Sequence, residues 1–316
     1  MTAAMQTMNA TTDHLDRPAL DRHALGRALT ALANASAQDL LRWPQVAQPT
    51  TTARRIGLTG APGAGKSTLA GHLALHRIHH GAGGRRLGVL AVDPSSPKSG
   101  GAILGDRIRM DELPGSAELY IRSLGSRSTS DGLSDNLPEM LDLMDAHGFE
   151  EVLLETVGVG QAEYAARVQV DTLVLVLLPD SGDVVQAMKA GIMEMADIFV
   201  VNKSDLPGAQ RMATDIQRIA SIARHAEGQW RPPVLLASWQ QPESVAAMSH
   251  TIDRHQQWLA EGGRHQALRD GRARYRLRRL IERRVAQVVE GLDPQLLAAP
   301  LGEQLQAALP EIARWR

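Results

Sequence analysis

The chain contains no cysteine in its 316 residues. Disulfides, thiolate metal sites and a cysteine nucleophile are therefore excluded together. Aromatic residues make up only 3%, so the core must be aliphatic, and there are few rings on which single-stranded nucleic-acid bases could stack. Neither sign of charge is in excess: 34 Lys and Arg face 35 Asp and Glu, for a formal net charge of -1. The whole chain thus offers no electrostatic footprint for nucleic acid or an acidic membrane surface. Its longest apolar run, Leu173 to Leu178, is far below the roughly 20 residues that span a bilayer. The opening MTAAMQTMNATT lacks a charged-then-apolar leader pattern, and the expectation is a cytoplasmic protein.

With 43% apolar residues, the chain can build one large α/β domain with extensions, or two small domains. Its organising stretch is GAPGAGKST, formed by Gly60, Ala61, Pro62, Gly63, Ala64, Gly65, Lys66, Ser67 and Thr68. This fills the G-x-x-x-x-G-K-[ST] phosphate-binding template, in which glycines let successive backbone N–H groups turn inward around an anion. The following helix directs its positive end at the same place. Lys66 is expected to reach the β/γ-phosphates and the Ser67 hydroxyl to ligate Mg²⁺. RRIGLTG before the loop reads as a buried strand and STLAGHLALHRIHH after it as a helix, the setting that the motif requires.

Continuous Val/Leu/Ile runs predict strands near 55–59, 87–92, 117–123, 150–155, 171–178, 197–201 and 233–237. Separated by helical segments, they argue for a P-loop NTPase of α/β class: a mostly parallel sheet flanked by helices. Ahead of it, leucines between Pro18 and Trp43 suggest one or two amphipathic helices with the look of a docking arm. Beyond about residue 262, a basic helix carries Leu277, Leu280, Ile281, Val285, Val288 and Val289 at helical spacing, and a last helix follows Pro294. Such a C-terminal segment either packs on its own domain or buries its stripe against a second subunit. The division expected is 1–53 as an N-terminal helical extension, 54–261 as the nucleotide domain and 262–316 as a C-terminal helical arm.

Asn202, Lys203 and Asp205 form N-K-S-D directly after the apolar run DIFVV, at the carboxyl end of a strand. A carboxylate there accepts from N1–H and the exocyclic amine of guanine. Adenine would leave it an unpaired acceptor, at roughly 1–3 kcal/mol. Lys203 can lie along the base and Asn202 can brace the loop. Ser238, Trp239 and Gln240 follow the final strand, where a backbone N–H is expected to meet the guanine oxygen. The acids placed to manage Mg²⁺ and water are Asp93, Asp106 and Glu155. Gly158 in ETVG can offer its N–H to the γ-phosphate, as a switch would. Where Ras-like GTPases carry a water-orienting glutamine this chain has Val159, with Gln161 displaced by two, so intrinsic hydrolysis is expected to be slow and completed by a partner or a rearranged loop. Arg107 and Arg109 are candidates for a charge supplied in cis.

With AVDPSSPKSGGAILGDRIRM, ETVGVGQ and NKSD in view, the chain resembles the MeaB/ArgK family of P-loop GTPases over about residues 18–290. These are G-protein chaperones of adenosylcobalamin-dependent acyl-CoA mutases. The resemblance implies GTP/GDP and Mg²⁺ as ligands, with Asp93, Asp106 and Glu155 serving the metal and hydrolysis. It implies a homodimer embraced by the C-terminal arm, and a mutase partner, with a cob(I)alamin adenosyltransferase as a further partner. Adenosylcobalamin would be held by the mutase, whose loading the GTPase gates and which it protects or reactivates. A third loop, LPDSGDVVQAMKAG, would use Asp180, Asp183, Gln186 and Lys189 to link nucleotide state to the client. GTP and Mg²⁺ would order loops 95–130, 156–165 and 179–190.

The chain departs from the family at Asp131, in LPDSGD, at KAG (Lys189 to Gly191) and at Trp239. These changes lie in partner-facing switches, so the client stays open among methylmalonyl-CoA, isobutyryl-CoA and 2-hydroxyisobutyryl-CoA mutases. Two rivals stand beside this reading. His72, His76, His79 and His80 on the helix after the phosphate loop suggest a nickel-delivery GTPase, although no cysteine or acidic ligand lies beside them. A small-molecule kinase is the other, but no acceptor pocket is evident.

Overall fold

A computed structural model describes residues 19–43, 52–80, 85–94, 118–126, 136–156, 161–179, 191–222 and 228–314. Its centre is a seven-stranded sheet in the order β3-β2-β4-β1-β5-β6-β7. The strands are β1 Arg54–Thr59, β2 Leu87–Pro94, β3 Leu119–Ser126, β4 Glu151–Glu155, β5 Thr172–Leu177, β6 Ile198–Asn202 and β7 Val234–Ala237. Every neighbouring pair is parallel. Parallel strands need helical crossovers that cover both faces, which is why β4, β5 and β6 are buried at every position and read as unbroken aliphatic runs.

Two helices open the described chain, α1 Arg22–Asn34 and α2 Ala37–Arg42. Asp21 caps α1 by accepting from the Ala24 N–H at 2.8 Å, and Ser36 with Asp39 forms a capping box on α2. The expectation of a docking arm here is corrected by the packing. Leu25, Leu29 and Leu32 are fully buried in the same cluster as Leu90 and Leu154 of the sheet and Met140 of α4, Leu137–Ala146. Asn136, just before α4, donates to the Leu32 carbonyl at 2.6 Å and to the Ala35 carbonyl at 2.9 Å. The amphipathic stripe was legible in the sequence, but the surface it covers was not. On the other side of the sheet, α3 Lys66–His80 buries Leu69, Ala70, Leu73, Ala74 and Arg77.

The remaining helices are α5 Gln161–Gln169, α6 Ala209–Ile222, α7 Pro242–Glu261, α8 His265–Glu290, α9 Pro294–Leu297 and α10 Leu301–Ala313. Helix α8 returns to its own domain through arginines. Arg276 pairs with Glu139 and Asp142, each at 2.8 Å, Arg272 pairs with Asp171, and Arg283 donates to the Ala35 carbonyl at 3.0 Å. It leaves Leu277 and Ile281 exposed, and Leu297, Leu301, Leu305 and Leu309 farther along the chain are exposed too. None of the described helices is long and apolar enough to cross a membrane.

At the amino ends of β5 and β6, far from the strand ends that carry the loops, a buried polar chain closes the sheet against α7. Gln256 donates to Thr172 Oγ1 at 2.6 Å, Thr172 Oγ1 meets His255 Nδ1 at 2.8 Å, and His255 Nε2 lies 3.4 Å from Asp197. Burial pushes the Asp197 carboxyl up to about 6, against the pull of Arg167, and burial pushes His255 down to about 4. The two shifts have opposite linkage signs. Asp197, raised in the folded state, adds stability as pH falls from about 6 toward 4. His255, lowered in the folded state, withdraws stability as pH falls from 6.5 toward about 4.

Two outcomes follow for stability. Leu29→Ala is expected to cost about 2–5 kcal/mol by urea unfolding, because it opens a cavity in the shared core, whereas a detachable arm would cost almost nothing. Denaturation between pH 7 and 4 should show that Asp197→Asn steepens the loss of stability on acidification while His255→Gln lessens it. Identical slopes in both variants would contradict the burial argument.

Candidate nucleotide site

The carboxyl ends of β1, β4, β6 and β7 converge on one rim, where open α/β sheets bind ligands. The phosphate-loop template leaves β1 at Gly60 and re-enters helix at Lys66. Gly60 has φ 142, and a Cβ there would sit 2.0 Å from the Val176 carbonyl oxygen of β5. Gly65 has φ 81, with a Cβ position 2.6 Å from Asn202 Nδ2. Only glycine allows both this backbone and this approach. A Cβ on Gly63 would meet nothing within 4 Å, so the tip of the loop faces open space.

Lys66 is buried and donates from Nζ to the carbonyls of Gly60 at 2.8 Å and Ala61 at 3.0 Å. The ammonium therefore stands inside the turn of the loop, where an anion cradled by its N–H groups would meet it. Ser67 Oγ donates to Glu155 Oε1 at 2.6 Å. Glu155 is buried at the end of β4, in register with Leu58 of β1 and Ala91 of β2. Asp93 lies two positions past Ala91, opposite Gly125. A hydroxyl and a buried carboxylate in contact form an all-oxygen donor set, which fits a hard divalent cation such as Mg²⁺.

Asn202, the last residue of β6, is buried and donates from Nδ2 to the Ala64 carbonyl at 2.8 Å. Lys203 adopts φ 54, the only positive value at a non-glycine among the described residues, and its Nζ donates to the Gly63 carbonyl at 3.2 Å. A side chain in that backbone region costs roughly 1–2 kcal/mol, offset here by aiming the lysine across the loop. Ser204 N donates to the Ala237 carbonyl at 3.0 Å, and Ser238 Oγ donates to Asp205 Oδ1 at 3.0 Å. The exposed Asp205 is thereby held beside the Ser238–Gln240 turn. Loops from three strands form one hydrogen-bonded unit, with the phosphate loop at one end and a fixed carboxylate at the other.

A family model described as methylmalonyl Co-A mutase-associated GTPase MeaB matches residues 25–292. The chain belongs to the MeaB family. Among relatives, it is 40% identical over 258 residues to a probable GTPase of Mycobacterium bovis, covering 79% of this chain and 75% of that one. It is also 40% identical over 215 residues to the mitochondrial methylmalonic aciduria type A homolog of Mus musculus, covering 66% of this chain and 50% of that one. Its fold is similar to a crystal structure of a LAO/AO transport system kinase, with TM-score 0.60 and 24% identity over 92% of this chain and all of that one. As a MeaB-family GTPase, the chain is expected to bind a guanine nucleotide, and the rim just described is where its motifs meet.

Of the expected site residues, the structure brings together Gly60 to Thr68, Glu155, Asn202, Lys203, Asp205 and the Ser238–Gln240 turn. Asp106, Gly158, Val159, Arg107, Arg109, Asp131, Asp180, Asp183, Gln186 and Lys189 lie outside the described residues. The histidines of α3 do not build a metal centre: among the described residues no group of three or more His, Cys, Asp or Glu side chains could hold a metal ion. His76 instead stacks on His80 with centroids 4.4 Å apart, burial lowering its pKa. Two supports escaped sequence reading. Ser244 in the first turn of α7 accepts from Ser238 N and donates back to its carbonyl, both at 3.0 Å, pinning the turn. Thr156 Oγ1 bonds Thr59 Oγ1 at 3.0 Å between the ends of β4 and β1. Thr156 had a signal, since it follows Glu155 in ETVG; Ser244 had none.

Gly60→Ala should lower guanine-nucleotide affinity at least about tenfold in calorimetry, because the methyl would drive the loop off β5, the size of effect that small misplacements produce. Lys66→Ala should abolish binding or turnover. Retained affinity in both variants would show that the anion sits elsewhere.

Proposed function

We propose that this MeaB-family protein is a GTP-hydrolysing chaperone that gates cofactor loading and protects or reactivates an adenosylcobalamin-dependent acyl-CoA mutase. The observation that carries the nucleotide part is the set of hydrogen bonds that runs from Lys66 through Ala61, Ala64, Asn202 and Lys203, and by Ser204 and Ala237, to Ser238 and Asp205. It spaces a phosphate cradle and a carboxylate base reader on one rigid rim. Asp205 selects guanine by accepting from its N1–H and amine, while Lys203 lies along the ring. Lys66 neutralises charge on the β/γ-phosphates, and Ser67, Glu155 and Asp93, with Asp106, are the oxygen donors that would hold Mg²⁺. Bound there, the cation would neutralise and orient the phosphates.

Val159 cannot polarise water, so turnover by the chain alone is slow and a partner completes it. The client reading is supported by the name of the family and by that of the mouse relative. The segment 54–261 then acts as the GTPase unit. The segment 262–316 acts as the dimerisation arm, a role supported by the exposed apolar side chains it carries between Leu277 and Leu309. A second copy would cover them, since a C₂ contact pairs one apolar patch with its own image. A cytoplasmic location belongs to the same proposal.

Coupling between nucleotide and client can be only as large as the client's preference for one nucleotide state, about 1–3 kcal/mol in typical cases. Phosphate release from GTP, measured alone and with purified methylmalonyl-, isobutyryl- and 2-hydroxyisobutyryl-CoA mutases, should rise severalfold with one of them. Turnover indifferent to all three would remove the chaperone role and leave the GTPase standing. Asp205→Asn should reduce the preference for GTP over XTP, because an amide presents a donor where guanine needs an acceptor.

A further inference from the structure

The base-reading turn makes a contact that its sequence motif does not require. Trp239 follows the buried Ser238, yet its own side chain is 50% exposed. Its indole lies nearly parallel to the His72 imidazole, with ring centroids 5.7 Å apart and an interplanar angle of 20°. His72 sits on α3, six residues past Lys66, so the stack joins the turn that faces the base to the helix that carries the phosphate loop. The geometry of the turn matters to the reader itself. Ser238 Oγ holds Asp205 at 3.0 Å and accepts from Gln240 N at 3.4 Å, so movement of the turn moves the carboxylate.

We propose that Trp239, stacked on His72, is a positioning residue: the stack holds the guanine-reading turn against the phosphate-loop helix and sets how long a guanine nucleotide stays bound. The inference rests on the guanine-nucleotide reading above. The indole is half-exposed and outside the buried core clusters, and its ring contact is the His72 imidazole. Entry of nucleotide needs an open cleft and is indifferent to the stack. Departure requires the turn to swing away from the base, and the stack opposes that swing. The histidine thus has a role as the seat of this ring, in place of metal ligation.

The test is release of a fluorescent N-methylanthraniloyl GDP, chased with excess GDP by stopped flow. Trp239→Ala and His72→Ala should each speed release about 3- to 10-fold, the range that an aromatic pair supports, with association rates within about twofold of wild type. The double variant should be no faster than the faster single one, since both remove the same contact. Trp239→Phe, which keeps a stacking ring, should restore near wild-type release. A purely structural loss would not follow this pattern of non-additivity and rescue. Should Trp239→Ala melt early, His72→Ala and Trp239→Phe supply the same comparison. Unchanged release in the single variants, effects that multiply in the double variant, or no rescue by phenylalanine would each overturn the proposal. A wild-type chain that fails to bind the probe would remove the guanine reading itself, whereas normal binding with unchanged release in the variants removes only the role of the stack.

Discussion

The bond from Asn202 Nδ2 to the Ala64 carbonyl, 2.8 Å long, is the one on which the geometry of the site depends. Asn202 ends β6 and Ala64 belongs to the loop that leaves β1, and β5 lies between those strands. For the bond to form, the loop must lean across the end of β5, and it does so by setting Gly60 against the Val176 carbonyl. Gly65 leaves room for the asparagine amide at the other end of the lean. The glycines of the phosphate loop therefore serve the sheet as well as the anion. They let the cradle be tied to the strand whose next residues, Lys203 and Asp205, are the proposed readers of the base.

The same sheet is finished differently at its two rims. On the carboxyl rim stand the left-handed backbone of Lys203 and the buried carboxylate of Glu155, both beside the phosphate loop. The amino rim and the outer flank carry arginine pairs that fasten secondary elements together: Arg55 to Asp145 at 2.8 Å, Arg77 to Glu151 at 2.7 Å, and the arginines of α8 to Asp171, Glu139 and Asp142. Removing one member of a buried pair such as Arg55–Asp145, Arg77–Glu151 or Arg272–Asp171 leaves an uncompensated charge, whereas the half-exposed Arg276 pairs hold less. The N-terminal helices and α8 are thus fixed to one flank of the sheet, while Leu277 and Ile281 of α8 stay exposed.

Much of this was legible in the amino-acid order because the signals were local. All seven strands lie close to where the sequence puts them, and the inner ones are plainest, as in TLVLVL and IFVVN, since a strand buried on both faces has no polar alternation to hide it. GAPGAGKST and NKSD announce their loops for the same reason: each role is fixed by a few consecutive residues. The pairing of Ser67 with Glu155 spans 88 positions and depends on β4 lying beside β1, which no local pattern states. Leu25 and Leu29 announced an apolar face without naming the surface beneath it. The support of Ser238 by Ser244 was invisible because a serine in the first turn of a helix is ordinary in any sequence.

The central claim is that one tied rim reads both ends of a guanine nucleotide. Calorimetric titration of the full chain with GDP, ADP and IDP in the presence of Mg²⁺ tests it most directly. The account predicts tight binding of GDP, weaker binding of IDP, which lacks the exocyclic amine, and no measurable binding of ADP. Equal affinity for GDP and ADP would contradict it.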